Sequence, residues 1–143
     1  MIKYYDETDK IEIKEEQLKG YFKDWKYPLT PKEHIATLKG STYFIVAIDN
    51  ETNNIVGFVT ALSDRINSGF IPLLEVLPQY QGKGIGTKLM EKILLKLKSI
   101  PNVDLTCDPE LQPFYERFKM QKSHRVRLHG KRASGRRFLF CGS

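Results

Sequence analysis

The sequence predicts a mixed α/β domain of the α+β kind, with helices and strands alternating along one chain. Three observations predict it. Apolar residues recur at helical spacing in some stretches and form continuous or alternating strand-like runs in others. "STYFIVAI" and "NIVGFVTAL" flank the turn-rich "DNETNN", a hairpin signal. The strand-like "GFIPLLEV" is followed by three closely spaced glycines and an amphipathic helix.

In chain order, a short strand is expected around Ile11–Ile13. In "EEQLKGYFKDW", Leu18, Tyr21, Phe22 and Trp25 fall at helical spacing, and Pro28 ends that predicted helix. A second helix is predicted from Thr30 as cap and Pro31 as first helical residue to Leu38, stopped by Gly40. The hairpin follows. In the central strand "GFIPLLEV", Pro72 is the awkward residue, because proline cannot donate to a sheet ladder. The helix after the glycines places Leu89, Met90, Ile93, Leu94 and Leu97 on one face, opposite Lys88, Lys92 and Lys96. "VDLTC" reads as a strand and "PELQPFYERF" as a short helix; "SHRVRLH" and "RRFLFC" read as a closing hairpin across "GKRASG".

Composition narrows the class. With 143 residues, 41% hydrophobic and 28% charged, the chain is expected to be a single soluble domain, residues 1–143, with a real core. "MIKYYDETDK" lacks the apolar run of a signal peptide, and no window approaches the ~18 apolar residues of a membrane span. A cytoplasmic location and no membrane partner are therefore expected. Cys107 and Cys141 form neither a CxxC pair nor a dense framework, and are read as small buried residues. His34, His124 and His129 lack ligand spacing, so no metal is expected and the histidines are read as surface or hydrogen-bonded ones. Every charged residue after Glu116 is basic, from Arg117, Lys119 and Lys122 to Arg137. Such a stretch attracts polyanions, but it serves equally well as a solvated face, and its aromatic interleaving is sparse.

The glycine loop carries the functional signal. In "QYQGKGIGTKLM", residues 79–90, three glycines precede a helix N-terminus. Free N–H groups and the positive end of the helix dipole attract anions there, and glycines let a ligand come close. The expected ligand carries phosphate. A nucleoside-triphosphate loop needs GxxxxGK[ST], yet Gly86 is followed by Thr87. A dinucleotide fingerprint needs GxGxxG, and the third glycine falls one residue early.

The remaining pattern is Gln/Arg-x-x-Gly-x-Gly/Ala, matched by Gln81, Gly84 and Gly86. With "LLEVLPQYQGKGIG" before it and "VDLTCDPELQPFYERFKM" after it, the chain resembles the GNAT superfamily of acetyl-CoA-dependent N-acetyltransferases, from about Ser41 to Gln121. The resemblance implies a single mixed, mostly antiparallel central sheet flanked by helices, with strands splayed at the acetyl-CoA site. It implies that Gln81, Gly82, Lys83, Gly84, Ile85, Gly86 and Thr87 wrap the coenzyme pyrophosphate. It also implies that main chain around Leu74 and Val76, with Asp108 and Phe114 nearby, receives the pantetheine arm. Tyr115 would be the general acid toward the departing thiolate, since a phenol is neutral at pH 7 and able to donate. Glu75 is the first choice of general base, with Asp108, His124 and bulk water as alternatives.

The implied reaction is direct acetyl transfer, in a ternary complex, to a primary amine on a small molecule or peptide, by a monomer or homodimer. Tyr115 on a short amphipathic helix also reads as a core aromatic, and only the resemblance favours its catalytic role; Glu75 reads equally well as an ordinary strand carboxylate. Two departures from the family pattern stand out: Asp108 where asparagine is common and Lys119 where glycine is usual. An acyl-CoA-binding module without catalysis is the alternative function, and a basic nucleic-acid-binding protein ranks last.

Overall fold

The computed structural model describes residues 1–123. The predicted closing hairpin, with His124, His129, Cys141 and most of the basic segment, lies outside them. Five strands form one sheet in chain order: β1 (Ile2–Asp6), β2 (Tyr43–Asp49), β3 (Asn54–Ser63), β4 (Ser68–Val76) and β5 (Asn102–Leu105). The first four pair antiparallel and β4 pairs parallel with β5. The helices are α1 (Pro31–Gly40), α2 (Ile85–Lys96) and α3 (Gln112–Glu116). This is the mixed, mostly antiparallel sheet flanked by helices that the sequence implied. Among the described residues, no helix is long and apolar enough to cross a membrane.

Local chemistry accounts for most elements. Thr30 Oγ1 accepts from the Glu33 N–H at 3.1 Å, while Glu33 Oε1 accepts from the Thr30 N–H at 3.0 Å. That reciprocal box, with Pro31 in the first turn, fixes the start of α1 as predicted. The β2–β3 hairpin closes as Asp49 O accepts from the Asn53 N–H at 2.7 Å, with Asn53 left-handed at φ 62°. Helix α2 buries Ile85, Leu89, Met90 and Ile93 against β2 and β3. Gly57 on β3 permits the close approach: a Cβ there would lie 3.1 Å from Leu89 Cδ1 and 3.2 Å from Ile85 Cγ2.

The N-terminal region differs from expectation. The first strand is Ile2–Asp6, and residues 11–13 are not strand, although Ile11 and Ile13 pack against the core. Leu18–Trp25 does not form a helix: only a 3-10 turn, Glu15–Gln17, precedes a bent segment. Gly20 at φ 93° and Phe22 at φ 61° adopt left-handed conformations that a right-handed helix excludes. The apolar spacing there serves packing, with Leu18, Tyr21 and Phe22 all buried.

His34 also departs from expectation. It is 1% exposed, caged by the rings of Phe58 (4.3 Å between centroids), Phe22 (5.0 Å) and Tyr21 (5.2 Å). Neither ring nitrogen has a hydrogen-bond partner among the described residues. It is therefore neither a surface nor a hydrogen-bonded histidine. Cys107 is buried as expected.

Candidate functional site

The site begins where β4 and β5 part. Ser68–Ile71 pairs with Asn102–Leu105, and beyond Ile71 the strand keeps only its β3 partner. Pro72 stands at that point, next to an irregularity in the β3–β4 register. Its missing N–H removes a ladder donor where the ladder ends, which resolves the awkward proline. Along the unpaired side of residues 72–76, alternate backbone groups face a gap and are available to a ligand.

The glycine loop closes this gap at one end. The Leu77 N–H donates to Val56 O at 2.9 Å, a 3-10 turn follows at Pro78–Tyr80, and Gln81 Nε2 donates to Val76 O at 3.0 Å. Gln81 thus fastens the loop to the end of β4 with its side chain. Gly82 (φ 77°) and Gly84 (φ 82°) are both left-handed, and a Cβ at either would meet nothing within 4 Å. Gly84 is the N-cap of α2 and supplies no capping side chain. The first α-helical bond runs from the Lys88 N–H to Gly84 O at 3.0 Å. The N–H groups of Ile85, Gly86 and Thr87 therefore lack intrahelical acceptors.

Helix α3 completes the wall. The missing Cβ of Gly86 would lie 3.7 Å from Phe114 Cζ and 3.8 Å from Val76 Cγ2. Glycine loop, end of β4 and "FY" helix thereby meet at one point. Phe114 packs edge-on against Tyr115, with ring centroids 5.0 Å apart. Tyr115 is buried and lines a cavity of about 390 Å³ with Leu94, Val103, Leu105 and Phe118. Asp108, just before α3, has a buried Oδ1 with no hydrogen-bond partner among the described residues. Lys119 is left-handed at φ 65°, so this chain keeps the conformation that suits glycine and places a lysine in it.

Glu75 lies toward the N-terminal side of the site. Its Oε2 accepts from the Phe22 N–H at 3.1 Å, 53 residues away in sequence, and fixes the strained turn. Tyr21 lies beside it, its hydroxyl donating to Ile55 O at 2.7 Å. Burial first, and the Glu75 charge second, raise the Tyr21 pKa and keep that phenol protonated. Trp25 packs at a tilt against Phe22 with ring centroids 4.8 Å apart, and Tyr27 is exposed. Sequence reasoning missed one residue. Arg117 Nη2 donates to Thr87 Oγ1 at 2.6 Å, placing a guanidinium at the loop; the basic run containing Arg117 was legible, but not its direction.

The arrangement suits a phosphate-bearing coenzyme with an extended amide arm. The N–H groups opening α2 have no intrahelical acceptor, two glycines leave open space where side chains would stand, and the Asp108 oxygen without a partner among the described residues can accept from an amide. No group of three or more His, Cys, Asp or Glu side chains able to hold a metal occurs among the described residues.

Comparison with known proteins gives a consistent picture. Residues 5–120 match the Acetyltransferase (GNAT) family. The chain is similar to a candidate acetyltransferase of known structure from Deinococcus radiodurans R1, with 34% identity, a TM-score of 0.83, and coverage of 90% of this chain and 87% of that one. It is also similar to the GNAT-family acetyltransferase SP0256 from Streptococcus pneumoniae TIGR4, with 25% identity, a TM-score of 0.71, and coverage of 90% and 98%. Among curated proteins, histone acetyltransferase TAP1 of Glycine max is 28% identical over 101 residues, 62% of this chain. The chain spans less than half the length of the soybean relatives it matches, 44% of TAP1 and 42% of TAP2.

Proposed function

The chain belongs to the acetyltransferase (GNAT) family, and from that premise we propose that it transfers an acetyl group from acetyl-CoA to a primary amine of a small molecule or peptide. The observation that carries this reading is the convergence at Gly86, in the first turn of an uncapped helix: a β-carbon there would lie within 4 Å of both Val76 Cγ2, at the unpaired end of β4, and Phe114 Cζ. Acetyl-CoA supplies an activated thioester. The N–H groups of Gly82–Thr87 receive its pyrophosphate. The gap beside Leu74 and Val76 takes the pantetheine arm, with Asp108 Oδ1 accepting an amide N–H and Phe114 as an apolar wall.

Transfer joins the amine nitrogen to the acetyl carbon and breaks the carbon–sulfur bond. A backbone N–H beside Glu75 stabilises charge on the acetyl oxygen. Tyr115 gives its proton to the departing thiolate, and Glu75, directly or through water, takes the proton the amine loses. The hydrogen bond from Phe22 occupies one lone pair of Glu75 and keeps the carboxylate oriented; a carboxylate accepts several such bonds, so it remains a base.

Titration calorimetry with acetyl-CoA, CoA and ATP tests the binding half. Micromolar binding of the first two and much weaker binding of ATP is expected. A protein indifferent to both CoA compounds is not this enzyme. Release of free thiol across a panel of amines and peptides then tests the transfer.

A further inference from the structure

We propose that Arg117 is a ligand of the coenzyme pyrophosphate, reaching across from the end of α3 to the N-terminus of α2. This rests on the coenzyme reading above and adds a charged side chain to a site otherwise built of backbone.

Arg117 sits at the wrong end of a helix for a cation. Its Nη2 is 2.6 Å from Thr87 Oγ1, in the first turn of α2, where the helix dipole is positive and the N–H groups of Ile85, Gly86 and Thr87 lack helical acceptors. A positive side chain there is repelled unless a negative group joins it. None does among the described residues: the ion pairs found there are those of Lys96 with Asp6 and Glu7.

The guanidinium is nonetheless held in place. It lies 5.2 Å from the centroid of Phe114 and 6.0 Å from that of Phe118. These cation–π contacts restrain the guanidinium while its Nη2 reaches the loop. Among the described residues the guanidinium, with five donors, bonds to Thr87, and that acceptor is neutral. An anion cradled by the loop would meet backbone donors on one side and this fork on the other. Exchange of a neutral hydroxyl for a phosphate oxygen ionises both partners of the bond and allows the two-pronged contact that a guanidinium makes with phosphate.

The experiment measures affinities of the wild-type chain, Arg117→Gln and Arg117→Lys for CoA and dephospho-CoA over a range of salt. Thermal melting of each ligand-free protein runs alongside. Arg117→Gln is expected to weaken both compounds alike, by roughly 10- to 100-fold. It should also flatten the salt dependence of binding and leave the ligand-free melting temperature unchanged, while Arg117→Lys recovers part of the affinity. Unchanged affinity in Arg117→Gln overturns the proposal. So does a loss confined to CoA, which would assign the arginine to the 3′-phosphate, or a loss with lowered melting temperature and unaltered salt dependence, the mark of a purely structural latch. If the wild-type chain itself binds neither compound, the coenzyme reading falls and this inference with it.

Discussion

At the scale of single residues, the proposed reaction divides the site into groups that would bind through backbone and the few side chains that would do chemistry. Tyr115 is the clearest test of that division. Its ring is buried and packs edge-on against Phe114, and phenylalanine keeps that ring in place while removing only the hydroxyl. Tyr115→Phe is therefore expected to keep coenzyme affinity and slow turnover by roughly 10²- to 10⁴-fold, the usual effect of losing a general acid. Wild-type turnover in that variant would take Tyr115 out of the chemistry. The sequence points to Tyr115 and the glycines because each type has a recognisable job at a recognisable spacing. Arg117 is not legible in the same way, since its role depends on a bond to Thr87 across 30 residues. Lys119 illustrates the converse: glycine is expected there for its left-handed freedom, and the structure shows φ 65° carried by a lysine instead.

At the scale of elements, the placement of α2 decides where the phosphate loop sits, and Gly57 decides the placement of α2. A methyl group at Gly57 would press on Leu89 and Ile85 at 3.1 and 3.2 Å, and both residues are buried with little room to turn. Gly57→Ala is expected to destabilise the fold by about 1–3 kcal/mol, the range for overpacking, and to weaken coenzyme binding because Ile85 is the first residue of α2. Chemical denaturation and calorimetry on the variant check both effects; native stability with native affinity would mean that α2 is seated by other contacts. Elements whose signals are local were readable in advance. Thr30, Pro31 and Glu33 announce α1 through capping chemistry alone, and the apolar stripe of α2 announces its buried face. The segment Leu18–Trp25 was not readable, because its apolar spacing fits a helix while its backbone is set by the distant carboxylate of Glu75 on the Phe22 N–H. β1 was missed for a related reason: its strand character comes from pairing with β2, in a register from Ile2 opposite Asp49 to Asp6 opposite Ile45.

At the scale of the whole molecule, two titrating groups tie distant parts of the chain together and set the response to acid. Burial pushes the His34 imidazole down to about 4 from its ordinary 6.5. The native state thus resists protonation while the unfolded chain accepts it. With the folded pKa the lower one, the stability associated with neutral His34 is complete above pH 6.5 and is lost as pH falls from there to about 4. Integrated over that interval it amounts to about 3 kcal/mol. Asp6 acts in a separate and lower window. Burial raises its pKa, but hydrogen bonds from Thr8 and from Lys96, which joins β1 to α2, outweigh this and hold it at about 2. Its contribution is present above the ordinary 3.8 and disappears as pH falls through about 2. His34→Leu separates the two. Leucine fills the aromatic cage without leaving two buried nitrogens unpartnered, so the variant should be at least as stable as wild type at pH 7. Its denaturation midpoint should stay nearly flat from pH 6.5 to 4, where that of wild type falls, and decline only below pH 4 as Asp6 and the hydrogen-bonded Asp49 and Asp64, whose pKa values are also lowered, take up protons. Parallel declines of the two proteins between pH 6.5 and 4 would show that some other group carries the acid response and that the His34 cage opens before it charges.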